Sequence, residues 1–182
     1  MSATTASLCE PRAGRGWPWT LRVVAVAALL GAEVIHVAAM NAHFDEWVWA
    51  GVFFLVVSVA EGLLAAGLLV APSRRLAKAA VAISLLTALV WFRSRTAGLP
   101  VGPEAGGREA VGRADTISTV FELVTAAFLL WSLRLSRGGP SVPDRARRAR
   151  GAAVAAVVAI TALTALAVRY PGAAAHHLLA GP

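Results

Sequence analysis

The amino-acid sequence predicts an all-α integral membrane protein: a bundle of five transmembrane helices, with four helices in the core and a fifth at its periphery. Hydrophobic residues make up 58% of the 182-residue chain and charged residues only 15%, whereas soluble domains contain about 45–50% apolar and about 25% charged residues. Five apolar stretches reach the length of about 17–25 residues that a transmembrane helix requires. Basic residues concentrate in alternate connections between these stretches, which is typical of membrane proteins with a defined orientation.

The predicted spans begin and end at proline, glycine or charged residues, which commonly flank helices. These spans are Thr20–Met40, Trp47–Ala71, Leu76–Phe92, Thr116–Leu135 and Gly151–Val168. The first four form the predicted core at residues 20–135, which includes an external loop at residues 93–115. The remaining segments are a tail at residues 1–19, a basic loop at 136–150 and a second tail at 169–182.

Basic residues set the predicted orientation, because arginine and lysine are retained on the cytoplasmic side of a membrane. With the N-terminus inside, twelve basic residues are cytoplasmic and five are external, of 17 in all. The sequence therefore predicts a cytoplasmic N-terminus and an external C-terminus.

All basic residues except Lys78 are arginine, and alanine is abundant. This composition is typical of GC-rich bacterial genomes, so we expect the protein in a bacterial plasma membrane.

The basic character of the chain, with a pI near 11.4, would also fit nucleic-acid binding, but the position of the arginines argues against it. The densest basic run, Arg145–Arg150, lies in a short connection between two spans. There it acts as an orientation signal and can contact anionic lipid headgroups, at about 1 kcal/mol per charge. We therefore expect the lipid bilayer as a partner, and no nucleic acid.

Four ionisable side chains lie at bilayer depth, away from the ends of the predicted spans, where their insertion is costly and therefore points to function. They are Glu33 and His36 in the first span, Glu61 in the second and Glu122 in the fourth. Glu33 and His36 are three residues apart and share a helix face. At about 1.5 Å per residue, these two and Glu122 lie about 6–11 Å below the outer helix ends, whereas Glu61 lies about 20 Å deep. The sequence therefore predicts that the first three meet and that Glu61 belongs to a second layer.

The predicted grouping of Glu33, His36 and Glu122 suits a metal ion or a proton relay that opens to the exterior. Imidazole binds zinc, copper and iron, and carboxylates complete such sites. A divalent metal or a copper ion is therefore the expected cofactor. A polar stripe leads from this group to the external surface. The stripe consists of Met40, His43, Asp45 and Glu46, and it forms the predicted access path.

The external loop between the third and fourth spans is the most distinctive connection of the chain. Its prolines stiffen it and its glycines permit tight turns. Arg93 and Arg95 stand at its start and form the predicted external rim. They either pair with the acidic residues of the loop or receive an anion. These acidic residues are Glu104, Glu109 and Asp115.

Several motifs give the chain a family resemblance over about residues 25–135. They are Glu33-Val-Ile-His36, His43-Phe-Asp-Glu-Trp47 with the Gly51-Val-Phe-Phe54 span, and Ser94-Arg-Thr-Ala-Gly-Leu-Pro-Val-Gly-Pro-Glu104 with Glu122 downstream. In these motifs the chain resembles small polytopic membrane proteins of GC-rich bacteria. No established activity is attached to that group, so the resemblance implies no catalytic residues.

The fifth span is rich in alanine and has no charge before Arg169. Gly151, Ala155 and Ala159 are spaced for close helix contact, which predicts that this helix docks on the bundle or on a partner subunit.

The leading interpretation of the whole chain is a non-enzymatic membrane protein with the Glu/His site described above. One alternative is a structural or assembly subunit of a larger complex, or a homo-oligomer, whose buried polar groups pair only with each other. A second alternative is a membrane enzyme with paired carboxylates, which no nucleophile or cofactor motif supports.

Overall fold

The computed structural model of the protein describes residues 19–135 and 143–169, and within these ranges all regular structure is helical. The helices are α1 (Trp19–Glu46), α2 (Val48–Val70), α3 (Arg74–Thr96), α4 (Arg113–Leu135) and α5 (Pro143–Arg169). All five are long and apolar enough to cross a membrane. The predicted fold class, a five-helix membrane bundle, is confirmed.

The first four helices form a closed bundle. Helix α1 contacts α2 and α4, and α3 contacts the same two helices from the opposite corner. Helix α5 lies outside this bundle, where it contacts α1 and α4. The arrangement matches the predicted four-helix core with one peripheral helix.

The bundle interior is apolar at the end opposite the loop that connects α3 and α4. Buried side chains from all four helices meet there, among them Leu29 of α1, Leu68 of α2, Ala80 of α3 and Leu129 of α4. Because lipid is as apolar as leucine, helices in a membrane associate through close van der Waals contact of small residues rather than through the hydrophobic effect. Thr125 adds an interhelical hydrogen bond, since its hydroxyl donates to the carbonyl oxygen of Ala25 at 3.3 Å.

Helix α1 is longer than predicted, because it continues past Met40 to Glu46. Its last turn contains polar residues, which lower the hydropathy but do not break the helical backbone hydrogen bonds. Trp47 alone joins α1 to α2. Its amide donates to the carbonyl oxygen of His43 at 2.9 Å, so the chain reverses direction with almost no loop.

Residues 97–112 fold back over one end of the bundle, which we call the loop end. The amide of Gly106 donates to the carbonyl oxygen of Leu99 at 2.8 Å, and the amide of Glu109 donates to the carbonyl oxygen of Ser94 at 3.2 Å. Gly98 has a φ of 73°, a left-handed conformation that only glycine adopts readily. The loop therefore has a defined path.

Helix α5 differs from its prediction in two ways. It begins at Pro143 rather than Gly151, so part of the predicted basic loop is helical, and proline is well suited to a first helical turn. Its buried face is also a different one. Ala153, Ile160 and Ala167 are buried, seven residues apart, whereas Gly151, Ala155 and Ala159 are exposed. The predicted stripe therefore does not face the bundle, because small residues on this alanine-rich helix occur on every side. Its contact with a partner subunit, the other alternative, stays a prediction.

Three predicted segments lie wholly or partly outside the described residues. They are the tail at residues 1–18, the part of the basic loop at 136–142 and the second tail at 170–182. The orientation of the chain in the membrane, which was inferred from the distribution of arginine and lysine between the two sides, stays a prediction.

Candidate functional site

Three ionisable side chains from three helices converge inside the bundle. His36 of α1, Glu61 of α2 and Glu122 of α4 each offer one nitrogen or oxygen atom, and these atoms all lie within 4.8 Å of one another. His36 is 4% exposed, and both glutamates are 0% exposed. We call these three residues the buried triad. Helix packing has removed all three side chains from both lipid and solvent.

The imidazole of His36 is held by Glu61. Its Nδ1 lies 3.0 Å from Oε2 of Glu61, which is a hydrogen-bonding distance between two buried side chains. The ring also makes an edge contact with Phe54 of α2, with 5.5 Å between the ring centroids. Together these contacts fix the ring plane, as a metal ligand or a proton carrier requires.

The carboxylate of Glu122 has no hydrogen-bond partner of ordinary geometry among the described residues, and neither has Oε1 of Glu61. The polar neighbours of Glu122 are Glu61 and the hydroxyl of Ser84 on α3. An unsatisfied buried polar group costs about 1–3 kcal/mol, and more if it is charged. Two buried carboxylates beside one imidazole therefore need a positive charge, which a metal ion or a proton supplies.

The placement of Glu61 in a separate, deeper layer was wrong, because Glu61 contacts His36 directly. The error arose because the first span was predicted to end at Met40. Counted from Met40, His36 lies near the surface, but α1 ends at Glu46. Ten residues separate His36 from that end, or about 15 Å at the rise of a helix. Glu61 lies 13 residues into α2, or about 20 Å, so the two depths are compatible.

Glu33 is not a member of the buried triad. It is partly exposed and lies against α2, where its Oε1 would be 3.8 Å from a Cβ placed on Gly62. Of the three residues predicted to meet, the structure thus brings His36 and Glu122 together. Glu33 lies beside Gly62, the residue that follows Glu61. Ser84 joins His36 and Glu122 from α3.

A cavity of about 400 Å³ lies between the buried triad and the loop end, and it was not predicted. His36 and Thr87, well inside the helices, line its inner part. Residues of the loop such as Leu99 and Gly102 line its outer part. The side chain of His36 therefore belongs both to the buried triad and to the cavity wall.

The predicted access path is reproduced only in part. His43 and Glu46 line the cavity, whereas Met40 and Asp45 do not. The ring of His43 stacks on Phe54 with centroids 4.0 Å apart and 8° between the planes. Its Nδ1 lies 3.6 Å from a carboxylate oxygen of Glu46. The side of α1 that faces α2 therefore forms the wall, and Asp45 is exposed outside it.

The two arginines of the predicted rim have separate roles. Arg95 lines the cavity and binds Asp115 through Nη2 at 2.6 Å, and it also donates to Glu109. Arg93 is exposed, and its guanidinium donates to the carbonyl oxygen of Gly98 at 2.5 Å. Of the two alternatives that the sequence left open, the described residues contain the ion pairs for Arg95 only, and anion binding at the rim stays a prediction.

The cavity walls include residues that sequence reasoning had not assigned to a site. Trp47 was a helix boundary in the sequence, but its ring lies against Gly102, whose Cβ would be 3.3 Å from it. Tryptophan is common at membrane surfaces in general, so its occurrence gave no specific signal. Thr87 and Trp91 are four residues apart in the sequence, a spacing that places them on one face of a helix, and this spacing was the one available indication.

No protein-family model, no curated protein and no solved structure matches the chain.

Proposed function

We propose that this protein is a non-enzymatic protein of the bacterial plasma membrane that binds one metal ion at the buried triad. In this proposal the N-terminus is cytoplasmic and the C-terminus external, so the cavity opens to the exterior. The observation that carries the proposal is the convergence of His36, Glu61 and Glu122, from three helices, with their ligand atoms within 4.8 Å.

The donor set favours Zn²⁺ or Fe²⁺. One imidazole and two carboxylates are borderline and hard ligands, whereas Cu⁺ prefers thioether or thiolate. Met40, the thioether of the predicted access path, does not line the cavity. Zinc bonds of about 2.0–2.1 Å place tetrahedral ligand atoms about 3.4 Å apart. Small side-chain rotations would bring the three atoms of the buried triad to that spacing.

A proton relay is the second candidate, and the position of His36 supports it. This residue hydrogen-bonds to Glu61 and also lines the cavity. A proton could therefore pass between the cavity and the carboxylates through the two ring nitrogens. An assembly role is the third candidate, and the exposed stripe of Gly151, Ala155 and Ala159 offers a surface for another subunit or a second copy.

Metal titration separates these candidates. The protein is purified in nanodiscs, stripped with a chelator and titrated with Zn²⁺ and Fe²⁺, and bound metal is measured by elemental analysis. We expect one metal ion per chain and a higher Tm, since ligand at 100 times its Kd stabilises the folded state by about 2.7 kcal/mol. His36→Ala, Glu61→Gln and Glu122→Gln should each abolish both effects.

Glu33→Gln is the matched control, because Glu33 is also a carboxylate within a span but lies outside the buried triad. This variant should bind metal like the wild type. If all four variants bind metal equally, or if the wild type binds none, the metal proposal fails. A wild type without metal that takes up protons, with uptake lost in the triad variants alone, would establish the relay instead. Stoichiometric co-purification of another subunit, with neither property, would favour assembly.

A further inference from the structure

We propose that the cavity at the loop end is a binding site for a small organic cation, an amine with a compact apolar body. This inference does not depend on a metal ion at the buried triad. It rests on three properties of the cavity wall: the aromatic rings, the direction of the hydrogen bonds and the charge at the mouth.

Aromatic rings form much of the cavity wall. Trp47, Phe53, Phe54 and Trp91 all line it. The indole nitrogen of Trp91 is covered and has no hydrogen-bond partner among the described residues. The guanidinium of Arg95 lies 5.8 Å from the centroid of this ring, so the ring already stands beside one cation, and its remaining surface toward the cavity is carbon. The faces of such rings carry negative partial charge and attract ammonium groups. The wall is therefore suited to an apolar body that carries a positive charge.

The polar groups in the inner part of the cavity accept hydrogen bonds. The hydroxyls of Thr87, Ser118 and Thr119 each donate to a backbone carbonyl oxygen of their own helix, at 3.0, 3.0 and 2.8 Å. Their hydrogens are thereby used, and only oxygen lone pairs remain for a ligand. Nδ1 of His36 lies 3.0 Å from Glu61. With its hydrogen on Nδ1, the ring leaves Nε2 as a further acceptor. A ligand that reaches this part must bring hydrogen-bond donors, and an ammonium group brings three.

The mouth of the cavity carries an excess of negative charge. Four carboxylates line the cavity, those of Glu46, Glu104, Glu109 and Asp115, against the single guanidinium of Arg95. That guanidinium is already bound by two of the four, Glu109 and Asp115. The field therefore attracts cations and repels anions on their way to the inner acceptors.

The size of the cavity indicates an organic ligand rather than a passing inorganic ion. Its volume of about 400 Å³ falls within the range of about 300–1,000 Å³ that is common for small-molecule sites. A hydrated metal ion gains little from walls made of indole and phenyl rings. An amine with one aromatic or short aliphatic body uses these walls, the acceptors and the charge together.

A ligand series that keeps the phenylethyl body and changes only the polar group tests the proposal on the unmodified protein. The probes are 2-phenylethylamine, 2-phenylethanol and 3-phenylpropanoate, titrated into the metal-free protein in nanodiscs, with tryptophan fluorescence as the readout and empty nanodiscs as the blank. We expect saturable binding of the amine, affinity at least about tenfold weaker for the alcohol, and none for the carboxylate. Equal affinity for amine and alcohol, a preference for the carboxylate, or no saturable binding would each overturn the proposal.

Two variants with matched controls assign the binding to this cavity. Trp91→Leu and Thr119→Val should each weaken amine binding by about tenfold. Trp131→Leu is the control for the ring, because Trp131 is 55% exposed on the outside of α4. Thr161→Val is the control for the hydroxyl, because Thr161 makes the same type of backbone hydrogen bond on α5. If the controls weaken binding as much as the cavity variants, the amine binds elsewhere and the proposal fails.

Since this titration uses metal-free protein, its outcome is independent of the metal test. A failure of amine binding would not contradict metal binding at the buried triad, and a failure of metal binding would not contradict amine binding.

Discussion

Arg95 and Asp115 join the end of α3 to the beginning of α4 through a hydrogen bond of 2.6 Å between Nη2 and Oδ2. The side chain of Arg95 is only 11% exposed, and it also contacts Glu109 within the loop. One guanidinium thus links two helices and the segment that connects them. Among the ion pairs of the described residues, only those of Arg95 connect the loop to the helices beside it.

We predict strong coupling between Arg95 and Asp115. Arg95→Ala should destabilise the protein by about 1.5–3 kcal/mol, the range for hydrogen bonds to charged groups. Asp115→Ala should then cost little more in the Arg95→Ala background. Thermal unfolding of both single variants and the double variant measures the coupling, which is about 0.5–3 kcal/mol for residues in contact. Additive losses would show that the two residues stabilise the fold independently.

We predict that Gly31 cannot be replaced without moving α5. A Cβ at this position would lie 2.8 Å from the ring of Phe121 and 2.8 Å from Oγ1 of Thr164. Gly31→Ala should therefore destabilise the protein by about 1–3 kcal/mol through overpacking. Gly62→Ala is the matched control, since its nearest neighbour would be 3.8 Å away. Its Tm should be unchanged or higher, because alanine favours helix. A similar loss of Tm in both variants would contradict this account.

We predict that two glycines of the loop respond differently to the same substitution. Gly98 and Gly106 both have positive φ, 73° and 82°, so alanine costs each about 1–2 kcal/mol in backbone strain. A Cβ at Gly98 would in addition overlap the backbone of Gly106 and Gly107, whereas a Cβ at Gly106 meets open space. Limited proteolysis of the loop should therefore be faster in Gly98→Ala than in Gly106→Ala. Equal rates would mean that steric overlap has no part in fixing the loop.

We predict that the loop end faces the exterior. In a Cys9→Ser background, Gly106→Cys should react with a membrane-impermeant maleimide on intact cells. Gly139→Cys, in the connection between α4 and α5, should react only after the cells are permeabilised. Gly106 suits the labelling because a side chain there has no neighbour within 4 Å. The opposite pattern would invert the orientation that the distribution of arginine predicts.

The helices could be predicted from the sequence because hydropathy and length are properties of a single segment. Helix ends were less accurate wherever polar residues continue a helix beyond the apolar stretch, as at Glu46 and Pro143. No glycine or proline stops α1 after Met40, and the backbone hydrogen bonds do not depend on side-chain polarity. The contact face of α5 could not be predicted, because Ala153 and Ala155 look alike in the sequence but lie on opposite sides.

The sequence placed His36 and Glu122 at one level but placed Glu61 in a separate layer, because the depth of His36 was counted from Met40 and not from Glu46. Depth also leaves the rotation of each helix open. The contact of Glu61 with His36 depends on how α2 is rotated about its axis, and this rotation is set by the short turn at Trp47. The closed cavity could not be predicted, because its outer wall exists only when the loop folds back through Gly98 and Arg95.

The connection at Trp47 also constrains how the length of this chain can change. Only one residue lies between α1 and α2, so the connection has no further residues that could accommodate an insertion. One added residue would turn α2 by about 100° about its axis, which would carry Glu61 from the interior of the bundle toward the hydrocarbon and leave His36 without its acceptor. At Gly106, where nothing lies within 4 Å of a new side chain, an added residue would protrude into open space. Homologous chains should therefore vary in length at the α3–α4 connection and keep the α1–α2 hairpin constant to the residue.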